Sequence, residues 1–184
     1  MLMELTGHEQ IISFYGICKG GVDGVTMHLV SELCNLGDLR YCLRTGNPRP
    51  FDLKLKLELC LQASNALEFL KHKQVIHRDI SARNFVLNMS CEFDLKLKLT
   101  DFDRARQTVD GKYHAEEDEI LPVRICSPEI FVHLLYTHES DWWALGVLIY
   151  EIISGGEQPY EWLAMNQVPE YLLNGHRLIL PETW

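Results

Sequence analysis

His77-Arg78-Asp79-Ile80-Ser81-Ala82-Arg83-Asn84 is the stretch on which the reading of the fold turns. It gathers a histidine, two arginines, an aspartate and an asparagine within eight positions. Downstream, Asp94-Leu95-Lys96-Leu97-Lys98-Leu99 alternates strictly, which predicts a half-buried strand delivering Asp101-Phe102-Asp103 to its end. Upstream, Leu59, Ala63, Ala66, Leu67 and Leu70 recur at helical spacing and predict a helix that stops before Gln74. Earlier still, residues 11–18 and 24–32 are β-rich on either side of Lys19-Gly20-Gly21 and read as a hairpin. Gly37-Asp38 then introduces a short helix with the aspartate as its cap. After Asp101 the chain is acidic and aperiodic to Leu121, a long loop. A mostly apolar, buried helix follows over 140–153 and a shorter amphipathic one over 167–173.

One repeat tests this reading. The hexapeptide Asp-Leu-Lys-Leu-Lys-Leu occupies 52–57 and again 94–99. Its alternation prefers a strand in both places, yet the first copy opens the helix just described. Local preference is a weak prior that tertiary context overrides, so helix is expected for the first copy and strand for the second.

Composition bounds the function. The 184 residues carry 17 basic and 26 acidic side chains, a formal charge of −9, which disfavours a nucleic-acid partner. Six cysteines are scattered without a C-x-x-C pair, so a disulfide framework or zinc site is not expected and a reducing compartment fits better. The apolar run from Trp142 to Tyr150 is far too short to span a bilayer, and the N-terminus lacks a signal-peptide pattern. The expectation is a soluble cytoplasmic chain without a membrane span, although a longer parent could be membrane-attached.

Beyond Asp101-Phe102-Asp103 come Leu121-Pro122-Val123-Arg124, Ser127-Pro128-Glu129 and Ser140-Asp141-Trp142-Trp143. Singly each is weak; ordered and spaced as they are, they resemble the protein kinases across nearly the whole chain. The resemblance implies an α+β, protein-kinase-like two-lobe fold, with an incomplete small β lobe at 1–33 and a mainly helical large lobe at 34–184. It implies ATP and Mg²⁺ as cofactors and a protein substrate. Phosphoryl transfer asks mainly for positioning and charge neutralisation. Asp79 matches the carboxylate that accepts the substrate hydroxyl's proton, and Asn84 and Asp101 match the oxygen ligands of Mg²⁺. His77 matches a residue that packs on the phenylalanine equivalent to Phe102. Arg78 matches the arginine that meets a phosphorylated activation loop, and Asp141 the helix residue that bonds the catalytic-loop backbone. Ser31-Glu32-Leu33-Cys34 resembles the hinge, with the Glu32 carbonyl and Cys34 amide facing adenine, Ser31 a small gatekeeper and Val86 part of the adenine floor. Tyr113, in the expected activation loop, is a candidate phosphorylation site.

The catalytic loop also bears on the acceptor. Serine/threonine kinases place a lysine where this chain has Ser81, whereas receptor-type tyrosine kinases carry the sequence matching Ala82-Arg83-Asn84, with Arg83 near the transferred phosphate. Leu121-Pro122-Val123-Arg124 also resembles the tyrosine-kinase loop that holds a phenol, although Ile125 and Cys126 replace that family's tryptophan and methionine. The resemblance therefore implies a protein-tyrosine kinase. The family's glycine-rich loop, strand lysine and helix glutamate have no match in this stretch. Its last helices, including the arginine partner of the residue matching Glu129, do not either. Taken alone, this stretch is expected to be weakly active or inactive. Asp103 stands where the family has a flexible glycine, which raises the alternative of a catalytically impaired, pseudokinase-like binding scaffold. The segment from Asn84 to Asp101 is longer than usual, with an enlarged turn expected around 88–92.

Overall fold

In the computed structural model, residues 1–20, 26–91 and 94–180 are described, Cys91 by its backbone only. The deepest helix, α5 (His138–Ile153), is apolar along most of its length, and it packs against α3 (Leu53–His72). Burying apolar area between these two is the main drive available to the domain. Leu55, Leu59, Ala63, Ala66, Leu67 and Leu70 of α3 meet Ala144, Leu145, Val147, Leu148 and Ile152 of α5 in one core. The termini are tied as their charges require. Asp52 caps α3 by accepting the Leu55 amide at 2.8 Å, and Lys56 donates to the Ile153 carbonyl at the end of α5, also at 2.8 Å.

The repeated hexapeptide takes both conformations. In α3 its first copy buries Leu55 and leaves Leu53 and Leu57 exposed, as a 3.6-residue period dictates. In β6 (Asp94–Leu99) the second copy buries Leu95, Leu97 and Leu99 together. A strand's two-residue period sends all three to one face. Gln62 of α3 holds this strand in place, accepting the Leu97 amide at 2.7 Å and donating to the Leu95 carbonyl at 3.1 Å.

β6 pairs antiparallel with β5 (Phe85–Cys91), and β5 with the two-residue β3 (Gly37–Asp38). Residues 88–91 therefore continue the strand, with a register shift between Met89 and Cys91. Of the enlarged turn expected over 88–92, the described residues 88–91 are strand instead, and residue 92 lies outside the described residues. Asp38 caps α2 (Leu39–Thr45) through the Tyr41 amide at 2.9 Å, as the sequence predicts. α2 lies close to Gly156, whose φ of 89° favours glycine. A Cβ there would come within 3.1 Å of the Arg40 carbonyl.

The N-terminal part differs in detail from the expected hairpin. After the short α1 (Leu2–Leu5), Ile11 forms a parallel bridge with Leu99, flanked by Ile12 N–H to Leu99 O at 2.9 Å and Leu99 N–H to Gln10 O at 2.8 Å. The hairpin begins only at β1 (Phe14–Gly20), which pairs antiparallel with β2 (Thr26–Ser31). Gly21 and residues 24–25, also expected in this hairpin, lie outside the described residues. Ile11 left the hairpin because the edge of β6 offers it a partner and a core; it is 1% exposed. Past Phe14 the hairpin leaves that core, and β2 is exposed along its whole length.

The expected loop after Asp101 holds two short strands. β7 (Arg106–Gln107) pairs with β4 (Val75–Ile76), and β8 (Lys112–His114) with β9 (Leu135–Thr137). Polarity hid them, because each strand pairs through its backbone and buries few side chains. α4 (Pro128–His133) and α6 (Val168–Leu173) complete the helical part. No described helix is long and apolar enough to cross a membrane.

The two faces of α3 give a direct check. Leu59→Ala is expected to cost about 3 kcal/mol in a urea unfolding experiment, and Leu57→Ala no more than about 0.5 kcal/mol. Equal costs would mean that the faces of α3 have been assigned wrongly.

Candidate active site

The loop between β4 and β5 carries the residues singled out from the sequence, and α5 holds it from beneath. Asp141, 4% exposed, accepts the His77 amide at 2.7 Å and the Arg78 amide at 2.9 Å, one on each carboxylate oxygen. Burial pushes this carboxyl up to about 7, against the two amides and the Arg78 guanidinium, which pull it down. The clamp fixes Arg78 at φ 71°, a left-handed conformation that is uncommon for a residue with a side chain. Asp101 at φ 61° is a second such residue. Strain of this kind, of order 1–3 kcal/mol each, persists only where surroundings over-determine the backbone.

Asp79 follows the clamp, 4% exposed. Both of its carboxylate oxygens accept from Arg83, at 2.8 and 3.0 Å. Asn84 donates its side-chain amide to the Asp79 carbonyl at 2.8 Å, and its own carbonyl accepts the Thr100 amide at 2.9 Å. Asp101 is next in the chain, so Asn84 links the loop of Asp79 to the strand end that bears Asp101. His77 closes the same circuit. Its Nε2 lies 3.1 Å from the Thr100 carbonyl, and its ring meets Phe102 edge-on, with centroids 4.9 Å apart. The packing implied for His77 and Phe102 is therefore present. Burial lowers the His77 pKa to about 4, although Asp79, the Thr100 carbonyl and Asp101 pull it up.

Arg78 has a carboxylate in front of it. Its guanidinium, 0% exposed, is paired with Glu119 and donates to the Arg104 carbonyl at 3.0 Å. The rings of Tyr113 and Tyr136 flank it at 4.2 and 4.5 Å. Glu119 was not singled out from the sequence; it stands in an aperiodic acidic run where nothing distinguishes it from its neighbours. Tyr113 lies in β8 opposite Tyr136, with Arg106 also over its ring at 5.2 Å.

The wall facing Asp79 is built from Leu121 to Ile125. A cleft of about 310 Å³ opens between them, lined by Asp79, Arg83, Arg40, Pro122 and Arg124 among others. Arg124 anchors this wall by donating to the carbonyls of Pro159, Tyr160 and Leu163. The two departures from the family pattern fit the interior. Ile125 joins the main core, and Cys126, 2% exposed, lies 3.7 Å from the Tyr136 hydroxyl. Glu129 is exposed and accepts the Ser127 hydroxyl at 2.6 Å, so it does have a local partner.

At the end of β2, Glu32 pairs with Lys98 at 2.9 Å, and Lys98 is the β6 register partner of Val86. The Glu32 carbonyl accepts only the Ser31 hydroxyl, at 3.4 Å, and the Cys34 amide makes no hydrogen bond among the described residues. Asp103 is exposed and does not adopt a positive φ, so this conformation does not require a glycine there.

Sequence reasoning also missed Glu151, a fully buried carboxylate near the end of α5. It accepts the Ala82 amide at 2.8 Å and pairs with Arg40. A lone acid within an apolar helical run was the available signal, since such a charge needs a partner.

The chain matches the family model described as protein tyrosine and serine/threonine kinase over residues 1–184. It is similar to human cytoplasmic tyrosine-protein kinase BMX, 33% identical over 98% of this chain and 25% of that protein. Human tyrosine-protein kinase Srms is 30% identical over 95% of this chain and 34% of its own length. Protein sevenless of Drosophila melanogaster is 34% identical over 98% of this chain and 7% of its own length. The chain thus spans about a third or less of the length of these relatives.

The buried histidine gives a pH test. A folded-state pKa of about 4 against 6.5 for the free side chain means the unfolded chain binds more protons between those values. The stability from neutral His77 is therefore complete above about pH 6.5 and is lost as pH falls towards 4, about 3 kcal/mol in all. Asp141 works in the opposite direction over an overlapping window, so the comparison is with His77→Gln, where Asp141 titrates without the histidine. The stability difference between wild type and variant should widen by that amount from pH 4 to 6.5 in urea titrations. A constant difference would mean His77 is not held neutral.

Proposed function

Since the chain belongs to the protein tyrosine and serine/threonine kinase family, we propose that the protein bearing it transfers the γ-phosphoryl group of ATP to tyrosine in protein substrates. The observation that carries this reading is the placement of Asp79: a nearly buried carboxylate at a cleft wall, aimed by two hydrogen bonds from Arg83. In this role Asp79 accepts the proton of the acceptor hydroxyl as the phosphoryl group moves to the oxygen. Arg83, 54% exposed beyond its pair with Asp79, can turn a donor towards the transferred group. The wall from Leu121 to Arg124 would support the ring of the acceptor, and the absence of a lysine at Ser81 favours a phenol over an aliphatic hydroxyl.

Asn84 and Asp101 would hold Mg²⁺, which when bound neutralises phosphate charge. The donor set suits that ion. The Asn84 amide nitrogen is engaged with the Asp79 carbonyl, leaving its oxygen as the free donor, and the Asp101 carboxylate makes no hydrogen bond among the described residues. No cluster of three acidic, histidine or cysteine ligands occurs among the described residues either. Two hard oxygens fit Mg²⁺, which keeps waters and substrate phosphates in its shell. The Glu32 carbonyl, held only by the long Ser31 hydroxyl contact, and the Cys34 amide, with Val86 nearby, would take the adenine. We read residues 1–33 as the small-lobe part and 34–184 as the large lobe.

Tyr113 is read as the loop's regulatory tyrosine, because Arg78 and Arg106 lie over its ring and a phosphate on it would compete with Glu119 for Arg78. Asp141, His77, Phe102 and Glu129 are read as scaffold. A cytoplasmic setting, like that of human cytoplasmic tyrosine-protein kinase BMX, is part of this reading. The negative φ of Asp103 weakens the conformational case for a scaffold without turnover.

Two measurements test the reading. Mg·ATP at about a hundred times its dissociation constant should stabilise the chain by roughly 2.7 kcal/mol in thermal unfolding. Asp101→Asn should abolish that gain, and Asp79→Asn should keep it. In the protein bearing this stretch, Asp79→Asn should lower kcat on a tyrosine peptide by about 10²–10⁴-fold, with the serine counterpart not phosphorylated by either form. Unchanged turnover in Asp79→Asn would overturn the assignment.

A further inference from the structure

We propose that Glu151 is a positioning residue for phosphoryl transfer, strapping the far end of the catalytic loop through the Ala82 amide and the wall of the cleft through Arg40. The proposal rests on the reading of Asp79 as the proton acceptor.

The loop needs two anchors because it carries its chemistry in the middle. Asp141 takes the amides of His77 and Arg78 at the near end. Ten residues further along α5, about 15 Å of helical rise, Glu151 takes the amide of Ala82 at 2.8 Å. Asp79 lies between the two anchors. Ala82 is itself 0% exposed and opens the 3₁₀ turn Ala82–Asn84, so its N–H has no partner inside the turn. Left alone, it would be a buried orphan donor. A carboxylate is a strong acceptor for it, but a carboxylate with 0% exposure needs a second compensation. Arg40 supplies it on the other oxygen.

The consequence reaches the reacting groups. Arg83 and Asn84 are the two residues after Ala82, and both bond Asp79, one at its carboxylate and one at its carbonyl. A turn released at Ala82 would let both donors drift relative to Asp79, and displacements of about 1 Å cost catalysis heavily. Arg40 belongs to α2 and lines the same cleft, so the pair also holds that wall to the loop. A merely structural ion pair would behave otherwise. Buried pairs can often be replaced by apolar residues of similar volume without loss.

The double variant Arg40→Met/Glu151→Met separates the two roles, because it leaves no charge unpaired. It is expected to unfold cooperatively like the wild type. Hydrogen exchange at the Ala82 amide should be at least about tenfold faster, while the His77 and Arg78 amides keep their protection under Asp141. In the protein bearing this stretch, kcat should fall roughly tenfold to a hundredfold with both KM values changed less than about twofold. Ala82→Pro is the second variant. It deletes the donor but leaves Arg40 and Glu151 paired, and Ser81 at φ −158° and ψ 160° already has the extended backbone a following proline requires. It should lower kcat to a similar extent. If the double variant fails to fold, Ala82→Pro decides alone. Wild-type kcat in Ala82→Pro, or wild-type exchange at Ala82 in a folded double variant, overturns the proposal. A wild type without turnover whose Ala82 amide still depends on Glu151 would sink the phosphotransfer reading and leave the strap standing.

Discussion

A buried carboxylate on an apolar helix is tolerable only if hydrogen bonds satisfy it, and Asp141 meets that condition with the two consecutive amides of His77 and Arg78. Two neighbouring N–H groups can point at one carboxylate only if the backbone turns sharply between them, which accounts for the left-handed φ at Arg78. From there the constraint spreads along covalent and ionic links. Turning the backbone sends the Arg78 side chain into the interior, where Glu119, Tyr113 and Tyr136 surround it. Glu119 then fixes the segment that leads into Leu121 to Arg124, the wall opposite Asp79. Helix α5 thus sets the loop that carries Asp79 and, through one arginine, the loop that faces it.

The structure also separates a part that carries its own core from a part that does not. α3, α5, β5 and β6 contribute most of the buried residues, and Leu5 and Ile11 join the same core. The hairpin beyond Phe14 shows the opposite pattern. Tyr15, Ile17, Met27 and Leu29 are each at least 60% exposed. A two-stranded hairpin with apolar side chains in water is marginal by itself. Its base is tied by Thr6, which bonds the Phe14 backbone, and by Glu32, whose carboxylate takes the Ser13 amide at 2.5 Å and the Lys98 ammonium at 2.9 Å. That same Glu32 sits at the proposed hinge, so one carboxylate links the base of the hairpin to β6 through Lys98.

Legibility in the sequence followed the range of the forces involved. α3, α5, β6 and the Asp38 cap rest on local periodicity or capping chemistry, and a single sequence displays these. His77, Asp79, Asn84, Asp101 and Asp141 were legible as a set because their order and spacing form a pattern, although their contacts are not local. Glu119 and Glu151 were not. Each is one acid whose meaning lies in a partner 41 or 69 residues away, Arg78 for the first and the Ala82 amide for the second. The Ile11 bridge was missed for the same reason. Its β-rich neighbourhood fitted a hairpin equally well, and only the open edge of β6 decided between them. The β5–β6 strands show the converse error, where the unusual length of the segment from Asn84 to Asp101 was assigned to a turn although residues 88–91 pair with β6.

The position of Asp103 illustrates why a departure from a family pattern must be weighed against backbone geometry. A glycine is required only where φ is positive or a neighbour comes too close for a Cβ. Here the positive φ falls on Asp101, two residues earlier, and Asp103 occupies ordinary backbone space with its carbonyl accepting from Arg106 at 3.2 Å. In this conformation the aspartate therefore costs no backbone strain. What it changes is the charge beside Asp101 and the ease with which the segment could leave the conformation, since a residue with a side chain has fewer alternatives than glycine. The Arg78–Glu119 pair is the contact that ties this segment to the loop of Asp79, and Asp103 fits the arrangement that results.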